Sequence, residues 1–233
     1  MTEAESTIYS CRIEGETTPV TETERTYVIL GDVVASRAEP DREALRGRIE
    51  DALAAVNDAY SDAVGARFEP IKGVDEFGGT LRDSGVAYGV VRTIQERLHP
   101  TVARYVVVAG VVDVNPGASD VTAMDGPAFH RADEALSELT AADGNFRLDT
   151  DDARADDLAT AAGDLALAVR EGWTERQTEI ARAYRRRESQ TAVAEAFDVS
   201  RQAVSKALAA AQYGRVRRAE ERIERALDAV STN

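Results

Sequence analysis

From Ser189 to Leu208 the chain reads SQTAVAEAFDVSRQAVSKAL, and few stretches of this length leave so little choice of fold. Apolar residues fall in two i,i+4 pairs, Val193 with Phe197 and Val204 with Leu208, and Val199 lies between them. That spacing describes two short helices pinned face to face, with Ala194 as the small residue where the second crosses the first. Asp198 stands where the tight turn commonly has glycine, and aspartate tolerates left-handed backbone better than most residues. Ser200 is then the cap of the second helix. The unit expected from residues 190–208 is a helix-turn-helix.

In such a unit the early residues of the second helix point outward, where they can reach base edges in a major groove. Gln202 and Ser205 are the candidates for base contacts. Arg201 and Lys206 are the candidates for phosphates, beside Ser200 at the helix start. The preceding helix, TERQTEIARAYRRR, adds Arg185, Arg186 and Arg187 next to that groove. Double-stranded DNA is the partner these residues fit; a three-helix protein-binding module without DNA contact is the alternative. The segment resembles the widespread regulator and sigma-factor-like type T-x-R-Q…VA…F-x-VSRQAVS, which implies a DNA-binding transcriptional regulator.

Charge divides the chain. Residues 170–233 hold 13 Lys and Arg against 10 Asp and Glu, net +3, which leaves 15 against 32, net −17, for residues 1–169. A boundary is therefore expected near Arg170 to Trp173, with a polar tail over 1–25, an α+β domain over 26–169 and an all-α helix-turn-helix domain over 170–233. The acidic part repels DNA, so only the basic end can dock. The formal net charge is −14, and Lys72 and Lys206 are the only lysines among 28 basic residues. At molar salt the screening length falls to about 3 Å and self-repulsion fades, so this surface suits a salt-rich, halophilic cytoplasm. The longest apolar run, YVVVAGVV from Tyr105 to Val112, is far short of the ~20 residues that span a bilayer. The N-terminal MTEAESTIYS has no basic segment followed by an apolar one, so a cytoplasmic location is expected. The single cysteine, Cys11, can form neither an internal disulfide nor a CxxC metal site.

Along the acidic part, TYVILGD (Thr26 to Asp32) and ARYVVVAGVVDV (Ala103 to Val114) read as strands, and ARFEPIKGVDEFGGTL (Ala66 to Leu81) as a hairpin turning at Gly73 to Asp75. Helices are expected over Asp41–Tyr60, Val86–Leu98, Gly126–Leu139 and Asp152–Val169, with FRLDT as an edge strand. The order implies an antiparallel or mixed sheet covered on one face by helices. The last stretch, RVRRAEERIERALDAV, places Val216, Ile223 and Val230 seven apart with Ala219 and Leu227 between. This amphipathic helix either pairs with its twin in a homodimer, as palindromic sites require, or packs on its own bundle.

YVILGDVVASR, FEPIKGVDEFGGTL and VVAGVVDV…AMDGPAFHRADEAL occur in the order and spacing of three motifs of the SatD family. The chain resembles that family over about residues 26–142 and in its C-terminal helix-turn-helix. More remotely the same blocks are similar to the ferredoxin- or palm-like fold of class III nucleotidyl cyclases. That resemblance implies Mg²⁺ and a nucleotide held by Asp32 and Asp75, with Glu76 nearby, because hard oxygen ligands suit Mg²⁺. It makes a cyclase-like, nucleotide- and Mg-dependent enzyme tethered to a DNA-binding module the alternative to a regulator whose first domain senses a small molecule or dimerises. Two departures weigh against catalysis: His130 and Glu134 stand where cyclases keep asparagine and a phosphate-binding arginine, although Arg131 is close by. GVDEF also falls short of the diguanylate cyclase signature, since Val74 replaces its second glycine. Read as local structure alone, Asp32 and Asp75 are turn residues, His130 is a half-buried helical residue and His99 closes the helix before Pro100.

Overall fold

The computed structural model describes residues 25–34, 41–73 and 75–231. Cys11, nearly all of the expected polar tail, Ser36 and Arg37 of the first SatD-like motif, and Val74 lie outside the described residues.

Strand β1 (Thr26–Val33) leads to helix α1 (Arg42–Ala59), the hairpin of β2 (Glu69–Lys72) and β3 (Glu76–Leu81), helix α2 (Ala87–Leu98) and strand β4 (Ala103–Gly110). The strands lie in the order β2-β3-β1-β4, with β1 antiparallel to both β3 and β4. That is the βαββαβ arrangement of ferredoxin- and palm-like folds. Helix α3 (Pro127–Ala141) then leads to β5 (Phe146–Asp149), which pairs parallel to β4 and makes the sheet mixed.

Alternation along β1 sorts its side chains. Tyr27, Ile29 and Val33 enter one core with Leu45, Ile49 and Leu53 of α1 and Tyr88, Val91 and Ile94 of α2. Val28 and Leu30, with Val106 and Val108 of β4, enter a second core under Ala128, Ala132, Ala135 and Leu136 of α3. The expectation of helices on one face is corrected here, because α3 covers the other. The run YVVVAGVV has its physical reason in this arrangement: a strand buried on both faces needs apolar residues at consecutive positions.

Helix α4 (Ala153–Glu171) lines the β5 edge and occupies its outward amides. Thr160 Oγ1 accepts from Leu148 N at 3.0 Å, and Asp156 and Asp164 accept from Thr150 N and Asn145 N. An edge covered by a helix in this way is a poor template for another strand.

Four helices follow: α5 (Glu175–Arg187), α6 (Gln190–Phe197), α7 (Arg201–Ala210) and α8 (Tyr213–Ser231). Their termini follow side-chain chemistry. Thr174 and Gln177 form a capping box on α5, Ser189 accepts from Ala192 N at 3.2 Å, and Ser200 accepts from Ala203 N at 3.1 Å. Asp198 takes the left-handed conformation at φ +51° and closes α6, as its place in the sequence suggests.

The core below these helices is continuous with that of the sheet. Trp173, Ile180, Ala183, Val204, Tyr213, Val216, Ile223 and Leu227 join the cluster that holds Leu45, Tyr88 and Phe146. Helix α8 lies along α4 and α2, and Ser84 Oγ donates to Leu227 O at 2.8 Å. Val216, Ile223 and Leu227 are spent within the chain, so of the two fates open to α8 the structure has it pack on its own bundle and not present that seam to a twin; the Val230 side chain lies outside what is described.

Candidate nucleic-acid interface and an acidic cleft

Helix α7 is anchored on one side by Val204 and Leu208, which bury against Val193 and Ala194 of α6. Its opposite side is open. Ser200, Arg201, Gln202, Ser205 and Lys206 are all exposed, and Arg201, Gln202 and Ser205 line a small depression with Gln190 from the start of α6. The structure thus brings together three of the residues expected at the groove, with Ser200 just before them and Lys206 one position further along the helix. Arg176 steadies the corner by stacking its guanidinium 4.6 Å over the Phe197 ring.

The three arginines of α5 separate. Arg186 and Arg187 are exposed at its C-terminal end. Arg185 turns inward, where Nη1 donates to Glu220 Oε2 at 3.1 Å and Nη2 lies 3.2 Å from Glu96. It belongs to a buried cluster in which Arg170 Nε donates to Glu220 Oε1 at 2.8 Å and Nη1 to Glu96 at 3.1 Å. Arg92 of α2 donates to Glu224 of α8 at 2.7 Å, and the Arg170 guanidinium lies over the Trp173 ring. Burial opposes the charge on Glu220, but Arg170, Arg185 and Arg92 overcome it and hold the carboxyl below its ordinary range. The cluster ties α2 to α4, α5 and α8, and so helps fix how the C-terminal helices sit on the sheet. Sequence spacing could not have revealed it, since Glu96 and Glu220 are 124 positions apart.

The carboxylates expected to hold a metal sit at the far end of β1. Asp32 pairs in register with Glu76 on β3, and Val33 N donates to Asp75 O at 3.1 Å across the hairpin turn. Burial and then the charge of Asp75 push the Asp32 carboxyl up, against the pull of Arg104. Burial also raises Glu76, with Asp133, Asp32 and Asp75 adding to it and Lys72 opposing. Glu76 and Asp133 open onto a cleft of about 550 Å³ between α3 and the β2-β3 hairpin, floored by Leu30, Ile71, Val121, Met124, Phe129 and Leu136. Sequence reasoning missed Asp133; its position on α3 facing the hairpin depends on which face of the sheet that helix covers.

As far as the described residues go, the donor set does not fit a magnesium-bound triphosphate. Among the described residues no group of three or more His, Cys, Asp or Glu is arranged to hold a metal ion. Lys72, 82% exposed, is the one cation lining the cleft among the described residues. Arg131 does not supply the missing charge, because it pairs with Asp149 at 2.6 Å and donates to Ala109 O at the other end of β4. Glu134 is exposed, and His130 is exposed and not half-buried, with Nε2 lying 3.1 Å from Asp125. His99 caps the C-terminus of α2, as its place before Pro100 implies.

Crowded carboxylates have a measurable consequence. An acid whose folded pKa is raised contributes in full below its unfolded pKa and loses that contribution as pH rises through the folded value. Asp32→Asn is therefore expected to raise the melting temperature at pH 7 and to flatten the part of its decline that sets in as pH rises above the ordinary carboxyl value of 3.8. The gain should stay below about 1 kcal/mol because the site is half-open to solvent. Thermal melts with and without Mg²⁺ check this; a magnesium ligand would behave oppositely, with the ion stabilising the parent and not the variant.

The sequence model of the SatD family matches residues 27–222. The chain belongs to the SatD family. The match runs through the sheet, α5, the α6-α7 unit and the first half of α8, so in this SatD family member the helix-turn-helix lies inside the family's span. No curated protein matches the chain. Among the described residues no helix is long and apolar enough to cross a membrane.

Proposed function

We propose that this SatD family protein is a cytoplasmic DNA-binding transcriptional regulator that places α7 in a major groove, while the acidic sheet domain stays off the duplex and senses a small molecule. The observation that carries this reading is the exposed, Ser200-capped start of α7, where Arg201, Gln202, Ser205 and Lys206 are free of the packing that Val204 and Leu208 provide behind them. Gln202 can address a base edge in bidentate fashion, and Arg201 and Lys206 beside it can take phosphates. The net charge of −17 on residues 1–169 favours an orientation in which only the basic end approaches. Because Arg185 is spent on Glu220 and Glu96, the phosphate contacts of α5 fall to Arg186 and Arg187.

Selection of a preferred site from genomic fragments, followed by anisotropy titrations, tests the reading. Gln202→Ala should cost about 1 to 3 kcal/mol on the preferred site and little on unrelated sequence. Arg186→Ala should weaken all sequences alike. If neither variant differs from the parent on any fragment, the groove assignment is wrong.

A further inference from the structure

We propose that the solvent face of α8 is a second polyanion surface, one that grips the phosphate backbone of duplex DNA flanking the segment read by α7. This rests on the DNA-binding reading above and adds a contact that the reading does not require.

Arg215, Arg218, Arg222 and Arg225 are spaced i, i+3, i+7 and i+10, which places them in one row along a helix. The row is exposed, and it lies opposite Val216, Glu220, Ile223 and Leu227, which face the protein interior. Four other arginines of the C-terminal region have acidic partners: Arg170 and Arg185 pair with Glu220 and Glu96, Arg176 with Glu179, and Arg217 with Glu188 and Glu221. Arg215 donates to the neutral Gln212, and among the described residues Arg218, Arg222 and Arg225 have no ion pair. Like charges at i,i+3 and i,i+4 oppose a helix. None of the 42 acidic residues stands in this row, and its nearest helical neighbours of opposite sign, Glu221 and Asp228, leave it with a net excess of positive charge. A partner that supplies many negative charges relieves it.

Placement favours duplex DNA. Helix α8 starts at Tyr213, just past the end of α7 at Ala210. Tyr213 packs edge-on against Tyr184 at 5.5 Å, and Arg217 reaches Glu188 at 3.0 Å, so the row begins beside the end of α5 where Arg186 and Arg187 are exposed. From Arg215 to Arg225 the helix rises about 15 Å, the axial extent of roughly four base pairs.

The test titrates full-length protein against a fluorescent mixed-sequence duplex of about 40 base pairs over a KCl series, with the triple variant Arg218→Ala/Arg222→Ala/Arg225→Ala and its all-lysine counterpart. Each lost phosphate contact should reduce the salt slope by about 0.9, so the alanine variant should lose roughly 2 to 3 and bind about tenfold or more weakly at moderate salt. The lysine variant should recover the slope, and both should melt like the parent. A slope unchanged in the alanine variant overturns the proposal, as does a defect confined to salt-sensitive self-association seen by light scattering. Gln202→Ala keeps the two readings apart. If that variant discriminates sites normally while the alanine triple loses slope, the arginine row stands and the groove assignment falls. The reverse outcome sinks the row alone.

Discussion

Glu220→Ala is expected to remove about 3 to 5 kcal/mol of stability, because it leaves buried arginines without their shared counterion. Glu220 is 1% exposed and Arg170 4%, and both oxygens of the carboxylate are in use, Oε1 by Arg170 and Oε2 by Arg185. Water cannot replace the lost partner at that depth. For a chain of this size each kcal/mol moves the melting temperature by about 2 to 4 °C, so a fall of roughly 6 to 20 °C should appear in thermal unfolding. The contribution also has a pH signature. Its folded carboxyl lies below the ordinary value of 4.5, so the stabilisation is present above that pH and is lost as pH falls through the folded value. Alanine at Glu138, whose partner Arg147 is on the surface, serves as the control and should cost less than about 1 kcal/mol. A Glu220 variant that melts with the Glu138 variant would show that the cluster does not hold the helical unit to the sheet.

A comparable loss, about 3 to 5 kcal/mol, is expected from Phe146→Ala. Strand β5 joins the sheet through only four paired residues, and the fully buried Phe146 ring does much of the work of holding α4 against it. The ring meets Tyr88 of α2 edge-on at 5.4 Å, and Gly163 of α4 packs so closely on it that an added Cβ would collide with the ring. Truncation opens a cavity between sheet, α2 and α4. Since α4 carries α8, faster hydrogen exchange should follow in both helices, ahead of β1 and β3. Gly163→Leu should cause similar damage by the opposite route, overpacking. Exchange that rises equally across the sheet would argue against this local dependence.

Both substitutions act where reading the sequence went least far, and for one physical reason. Local signals were legible. The serine cap at Ser200, the left-handed Asp198, the i,i+4 pairs of α6 and α7 and the β-branched runs of β1 and β4 are decided by residues within a turn or two of each other. The family blocks were legible too, since YVILGD and GVDEF fall on adjacent strands and bring Asp32 opposite Glu76. What the pattern withheld was orientation between distant elements. The continuous apolar run in β4 already carried the sign that both faces are buried, yet which helix covers the second face depends on the β4-α3-β5 crossover. Arg185, Arg186 and Arg187 are indistinguishable as a string, and only the packing of α5 on α8 sends the first to Glu220 and the others to solvent. In α8 the apolar spacing was visible, while the arginine row behind it gains meaning once the buried face is known to lie within the chain.

The shared core also decides how binding should be measured. Residues 170–233 cut from the sheet would expose Trp173, Val216, Ile223 and Leu227, so the full-length chain is the proper object. The most direct measurement is anisotropy of a selected genomic fragment titrated with the parent and with a variant carrying alanine at Arg201, Gln202, Ser205 and Lys206, at fixed salt. Those four side chains project from the open face of α7, and their removal should leave the melting temperature within a few degrees while affinity falls by about a hundredfold or more. Equal affinity of the two proteins for the fragment would contradict the placement of α7 in the groove.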